Sequence, residues 1–251
     1  MTVKNNLKPQ MAPGNEACED KQQRDAGSKV RKKARFKKVY WLLLDLAIVF
    51  LIFVLLLHKP GGYEPSEPVY DEQLSPYLTH ELLPQIYNGS QYDEPFELVI
   101  TQEGINDIIA RSGWPKESEG MRFLVPKIFF TEDNMVLIGT AELRGVEFVC
   151  TFVARPYLDE DGLLNLRMAR VKVGAMNITL LARILGKRMY ARRLEEDAET
   201  ETLQAKVAAS LLNNEPFEPV FEVPDVNRKV RVDKITVTPG KLTIRLVPIS
   251  G

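Results

Sequence analysis

"GLLNLRMARVKVGAMNITLLARIL", residues 162–185, changes its periodicity twice. Leu164, Leu166 and Met168 alternate as on a half-buried strand, and Val171 and Val173 resume the alternation in the opposite phase. An uncorrected one-residue shift would turn core residues outward, so the pattern predicts a β-bulge near Ala169–Arg170. Such a bulge sharpens the local twist and suits a curved sheet. Beyond Gly174, Leu180, Leu181, Ile184 and Leu185 recur at helical spacing, while Arg183, Lys187, Arg188, Arg192 and Arg193 take the other faces. This predicts an amphipathic helix over 178–194 with a basic exterior. Strand, bulge and helix in one stretch make the domain α+β.

The flanking segments fit the same plan. "PFELVI" (95–100) reads as a strand, and Thr101 as the N-cap of a helix over 102–111 with Ile105, Ile108 and Ile109 on one face. Gly113 and Pro115 end it. Strands are predicted over 124–130, 135–143 and 146–154, broken by "TEDN" and "RG". In the last of these Val146, Phe148, Cys150, Phe152 and Ala154 alternate, which puts Cys150 on an inward face as a buried, inert thiol. A helix over 198–213 carries Leu203, Val207, Leu211 and Leu212. The chain closes with "KVRV" and a hairpin in which Ile235 and Val237 oppose Leu242, Ile244 and Leu246 across Pro239-Gly240. The expected fold is a curved antiparallel sheet packed against two or three helices, spanning 94–251.

Charge divides the chain sharply. Its formal net charge is −1, yet residues 1–59 carry 12 Lys/Arg and 5 Asp/Glu of the total 33 and 34. The remainder therefore holds 21 basic against 29 acidic side chains, and residues 60–110 contain no Lys or Arg. Between the two regions lies "VYWLLLDLAIVFLIFVLLL", Val39 to Leu57. At 1.5 Å per residue it reaches roughly 28 Å, the thickness of a hydrocarbon core. Lys29, Arg31, Lys32, Lys33, Arg35, Lys37 and Lys38 precede it, and Lys/Arg excess marks the cytoplasmic flank. Tyr40 and Trp41 stand at the inner boundary, where amphipathic rings prefer to lie. The apolar run is too long for a cleaved signal, and "HKPGG" has no small-x-small cleavage site. The organisation expected is a disordered basic cytoplasmic tail (1–38), a single transmembrane helix (39–58), a Pro/Tyr-rich stalk (59–93) and the extracytoplasmic domain. The stalk is expected to be extended in its first half, with a short helix in "SPYLTHELLPQIYNG" (75–89) and tyrosines that either dock onto the domain or face the headgroups. Asp45 lies within the span, about 9 Å from its inner edge by helical rise. It is either an intramembrane contact for a partner helix or a carboxyl tolerated near the headgroups.

Chemistry is conspicuous mainly by what is missing. The two histidines, His58 and His80, fall outside 94–251, so that domain lacks the base of a Ser-His or Cys-His nucleophile and the His ligands of a zinc site. Cys18 and Cys150 flank the span and cannot pair within one molecule. The acids of "DEDG" (159–162) fit a solvated turn, and four residues are not a calcium loop. No glycine-rich phosphate loop follows a strand. No enzyme, cofactor or metal is expected, and no nucleic acid beyond a membrane. Asn88-Gly89-Ser90 and Asn177-Ile178-Thr179 match the glycosylation triplet.

"ELVITQEGINDII", "MVLIGTAELRGVEFVCTFVARPYLDEDGLLNLRMARVKVGAMNIT" and the closing "VDKITVTPGKLTIRLVP" together resemble the YpmS-like family. These are bacterial envelope proteins with one amino-terminal anchor and an outer α+β domain of poorly defined function. The likeness covers about 95–248 and the anchor, and rests on pattern. Where such families place a Pro after the "VxVG" step, this chain has "AMNIT".

Two functional readings follow. In the first, the outer domain is a non-catalytic envelope scaffold or interaction module, its partners the bilayer and another envelope protein. In the second, a groove between the curved sheet and the 178–194 helix, lined by Phe148, Phe152, Leu180, Leu181, Ile184 and Leu185, binds lipid or another apolar ligand. The same apolar residues serve as plain core under the first reading.

Overall fold

The computed structural model describes residues 16–61, 63–70, 74–118, 120–196, 203–223 and 228–249. It divides into two compact units, Met1–Phe53 and Val54–Gly251. Helix α1 (Glu16–Leu57) forms the first and ends in the second. Its stretch Lys37–Leu57, with a mean hydropathy of 2.8, is long and apolar enough to cross a membrane, the one such helix among the described residues. The tail is helical from Glu16, where the sequence reading expected no regular structure. Glu, Lys, Gln, Arg and Ala are strong helix formers, so a composition that cannot build a core still supports a helix.

The expected stalk is a strap laid on the folded unit. The Lys59 ammonium lies 2.7 Å from a Glu147 carboxylate oxygen. The Thr140 hydroxyl donates to the buried Tyr63 phenol oxygen at 3.3 Å. Ser66 bridges Val125, and the Val69 N–H donates to the Ala110 carbonyl at 3.2 Å. Proline removes bonds within the strap and leaves its remaining backbone groups to pair with neighbouring elements. A π-helical turn (Leu78–Leu82) and α2 (Leu83–Ser90) follow. Tyr77 is also buried, whereas Tyr70, Tyr87 and Tyr92 are exposed.

Two antiparallel sheets replace the single one expected. The smaller has the order β1-β11-β10-β9, from β1 (Phe96–Thr101), β9 (Val220–Val223), β10 (Arg228–Thr238) and β11 (Lys241–Ile249). The larger contains β2 (Lys116–Ser118), β3 (Met121–Phe123), β4 (Lys127–Thr131), β5 (Asn134–Leu143), β6 (Val146–Leu158), β7 (Leu164–Val173) and β8 (Met176–Asn177). Its order is β2-β3-β5-β6-β7-β8, with β4 also paired to β5. Both the early strand β1 and the late hairpin were legible, but not their pairing across the length of the domain. The short strands β2, β3, β8 and β9 leave too little alternation to read.

Local sequence rules account for the joints. The Thr101 hydroxyl accepts the Gly104 N–H at 3.1 Å, capping α3 (Gln102–Ala110). The predicted bulge is present: Val153 pairs with Arg170 and Ala154 with Met168, leaving Ala169 as the extra residue. A second irregularity skips Asp233, because Val232 pairs with Leu246 and Lys234 with Arg245. Asn106 fastens α3 to β4 through two bonds with the Ile128 backbone, at 2.8 and 2.7 Å.

Apolar packing forms two clusters. Leu98, Val223, Val230, Val232 and Leu246 are buried under Leu82 and Ile86. Phe130, Val237 and Leu242 join the two sheets, with Ile105 of α3 beside them. The remaining helices, α4 (Thr179–Glu196) and α5 (Leu203–Asn213), pack together and on β7. Residues 198–202, predicted as the start of α5, lie outside the described residues.

Candidate functional site

Helix α4 forms where it was expected but is rotated about its axis. Leu180, Leu181, Ile184 and Leu185, the anticipated groove lining, are 76%, 52%, 53% and 48% exposed. Phe148 and Phe152 are half-buried on β6, paired with Ala141 and Val171. None of these six residues lines either of the two clefts described below.

What faces the body is the small and basic side of α4. A Cβ at Gly186 would lie 2.3 Å from a Leu212 methyl carbon, so α5 crosses where a side chain is missing. Ala182, one turn earlier, is half-buried on the same side. The Arg183 guanidinium reaches in and donates to the Met168 carbonyl at 2.7 Å. Ser210 of α5 is fully buried and accepts the Leu166 N–H at 2.7 Å. The Ala182-Gly186 pair was the available signal for this packing face. A leucine stripe drew the reading to the opposite side because an apolar stripe ordinarily faces a core.

Between β7, α4 and α5 the packing leaves a cleft of about 300 Å³. Arg167, Arg183 and Lys187 line it together with Tyr157, Met168 and Asn214. The lining contains three cations and no carboxylate. Nearby, the buried Asn165 amide donates to the Asn214 carbonyl at 3.3 Å, and its own carbonyl oxygen has no partner. An apolar groove does exist elsewhere, about 370 Å³, between α2 and β9. It is lined by Leu83, Ile86, Tyr87 and Val223, and no charged side chain contributes.

The start of α4 lies near the end of the apolar helix. The Ala175 N–H donates to the Leu55 carbonyl at 2.8 Å, within the second unit. The Asn177 side chain then accepts from the Thr179 N–H and hydroxyl, at 3.1 and 2.6 Å, and turns the chain into the helix.

The other candidates have structural settings. Asp45 is exposed on α1, with no hydrogen bond or ion pair among the described residues. Cys150 is half-buried, the fully buried neighbour being Val149. Burial pushes its thiol pKa up, which keeps it protonated and unreactive at neutral pH. The Asp159 carboxylate accepts the N–H groups of Asp161 and Leu163, as in a local turn. Among the described residues no group of His, Cys, Asp or Glu is arranged to hold a metal ion. Asn88 and Asn177 are both exposed.

The chain matches no family model and no curated protein.

Proposed function

We propose that this is a single-pass membrane protein, amino terminus cytoplasmic, whose extracytoplasmic unit is a non-catalytic module held against the bilayer surface where its span ends. The observation that carries this reading is the exposed leucine face of α4, in a unit whose Ala175 is bonded to Leu55 in the last turn of the apolar helix. Leu180, Leu181, Ile184 and Leu185 form one exposed face over the first turns of α4, and Arg188 lies on that face one turn after Ile184. An apolar face flanked by a basic side chain suits a helix lying in the plane of the leaflet interface. Partial burial of each exposed leucine or isoleucine in lipid contributes roughly 1–2 kcal/mol. The helix is already folded, so little ordering cost opposes that gain.

Lys29 to Lys38 before the span support the orientation through the basic-flank rule. The absence of histidine from 94–251 supports a non-catalytic role. The strap from Lys59 to Val69 keeps the module close to the span's end, as suits a scaffold for other envelope proteins. The YpmS-like resemblance belongs to this proposal and carries the same architecture.

The test uses the full chain, with Cys18 and Cys150 replaced by Ser, reconstituted in vesicles with nitroxide-labelled lipid. A bimane probe at Leu181→Cys or Ile184→Cys is expected to be quenched strongly, and one at Glu222→Cys weakly. Equal quenching at all three positions overturns the docking.

A further inference from the structure

The cleft on the inner side of α4 is separate from the leucine face, and its charges are poorly compensated. Arg183 and Lys187 stand one turn apart on the same helix, where like charges oppose each other. Arg167 on β7 is directly opposite Arg155 on β6, again a like-charge pair. Arg155 is neutralised on its far side by Asp133, 2.8 Å away. Arg167, Arg183 and Lys187 have no acidic partner among the described residues. Two unfavourable placements thus converge on one cavity of about 300 Å³.

We propose that this cleft binds a phosphate group that carries an apolar segment. Two guanidinium groups and an ammonium offer several charge-assisted donors to a tetrahedral anion, and arginine forks match phosphate oxygens two at a time. Tyr157 adds a hydroxyl donor at the wall. Met168, Leu211 and Leu212 supply the apolar surface for the rest of the ligand. The bound anion relieves both like-charge pairs, so its binding stabilises the α4–β7 contact. The phosphate belongs either to a phospholipid headgroup or to a soluble phosphate ester. The cleft does not depend on whether the leucine face meets lipid.

The experiment uses the full chain in dodecyl maltoside micelles, which carry no phosphate, and follows acetylation of Lys187 by peptide mass spectrometry. In one arm hexyl phosphate, a soluble ester with an apolar chain, is titrated in, and in the other phosphatidate is added to the micelles. Saturable protection of Lys187 is expected in at least one arm, and the arm that protects identifies the source. R167Q is expected to weaken that protection roughly tenfold, the scale of one charge-assisted bond. R170Q removes an equal charge from the same strand outside the cleft and is expected to leave protection unchanged. Thermal melting of both variants checks that they fold. Unchanged Lys187 acetylation in both arms overturns the proposal, and so does an equal loss of protection in R170Q. The bimane quenching experiment reads the opposite face of α4, so the two readings fail separately.

Discussion

The Ala175 N–H donates to the Leu55 carbonyl at 2.8 Å, and Gly174 beside it comes so close that a Cβ there would lie 2.3 Å from the same oxygen. Gly174 also holds a φ of +57°, in the left-handed region. One residue thus meets two demands that only glycine satisfies, conformational and steric. Gly162 is the natural control: its φ is +75°, and nothing lies within 4 Å of its would-be Cβ. G162A is expected to cost about 1 kcal/mol, the left-handed penalty alone. G174A adds the lost hydrogen bond and the displaced backbone, roughly 2–4 kcal/mol in all. Urea unfolding of the two variants in dodecyl maltoside micelles checks the difference, and equal losses would deny the close approach.

Tyr77 ties the strap to the first strand and helix. Its phenol donates to the Val99 carbonyl at 3.2 Å and accepts the Thr101 N–H at 2.9 Å. The ring covers Gly104, where a Cβ would stand 2.4 Å from ring carbons. Y77F removes both bonds and leaves the Thr101 N–H without that partner, at an expected cost of about 1–3 kcal/mol. G104A displaces the ring itself. Because both changes act through one contact, the double variant is expected to cost less than the sum of the single ones. Strict additivity in the melting data would separate the two residues.

Acid sensitivity is expected at Asp107. The Ser75 hydroxyl donates to its carboxylate, the largest effect, and Arg111 adds a hydrogen bond and charge; together they outweigh desolvation and hold its pKa below the usual range. A carboxylate depressed by folding stabilises the native state above its unfolded pKa of about 4. That contribution is lost as pH falls from there through the lowered folded value. S75A is expected to move the Asp107 titration back toward the ordinary range and to flatten the stability profile below about pH 4. Carboxyl-carbon NMR of labelled aspartate follows the titration directly. An unmoved Asp107 in S75A would assign the shift to Arg111 alone.

How much of this was legible depended on how local the cause was. The bulge at Ala169 follows from a phase change within one strand, and the Thr101 cap from residues three apart. The Val237–Leu242 and Ile235–Ile244 pairs follow from a short turn at Pro239-Gly240. The strap's particular partners were hidden because Tyr63 meets Thr140 and Lys59 meets Glu147 far along the chain. Asn106 likewise substitutes its side chain for a strand partner of Ile128, which no periodicity announces. The rotation of α4 was hidden for another reason. Leucines at helical spacing define an apolar face but do not say whether a core or something outside the protein covers it. The small pair Ala182 and Gly186, the glycine poor as a mid-helix residue, pointed to the side where α5 passes.

That rotation makes a prediction opposite to the ordinary behaviour of a leucine stripe. Leu181 is 52% exposed and Leu246 is 5% exposed. If α4 packed through its leucines, truncating either residue would cost similar amounts. With the observed orientation, Leu246→Ala removes a side chain from the cluster formed with Leu98, Val230 and Val232 and is expected to cost about 2–5 kcal/mol. Leu181→Ala changes the stability of the full chain in detergent by no more than about 0.5 kcal/mol, as at other exposed sites. Gly186→Leu, on the packing side, drives a side chain into Leu212 and is expected to destabilise by more than Leu181→Ala does. The three variants compared by thermal melting therefore report which side of α4 faces the body. A large loss at Leu181 with tolerance at Gly186 would restore the leucine-inward packing and remove the free apolar face.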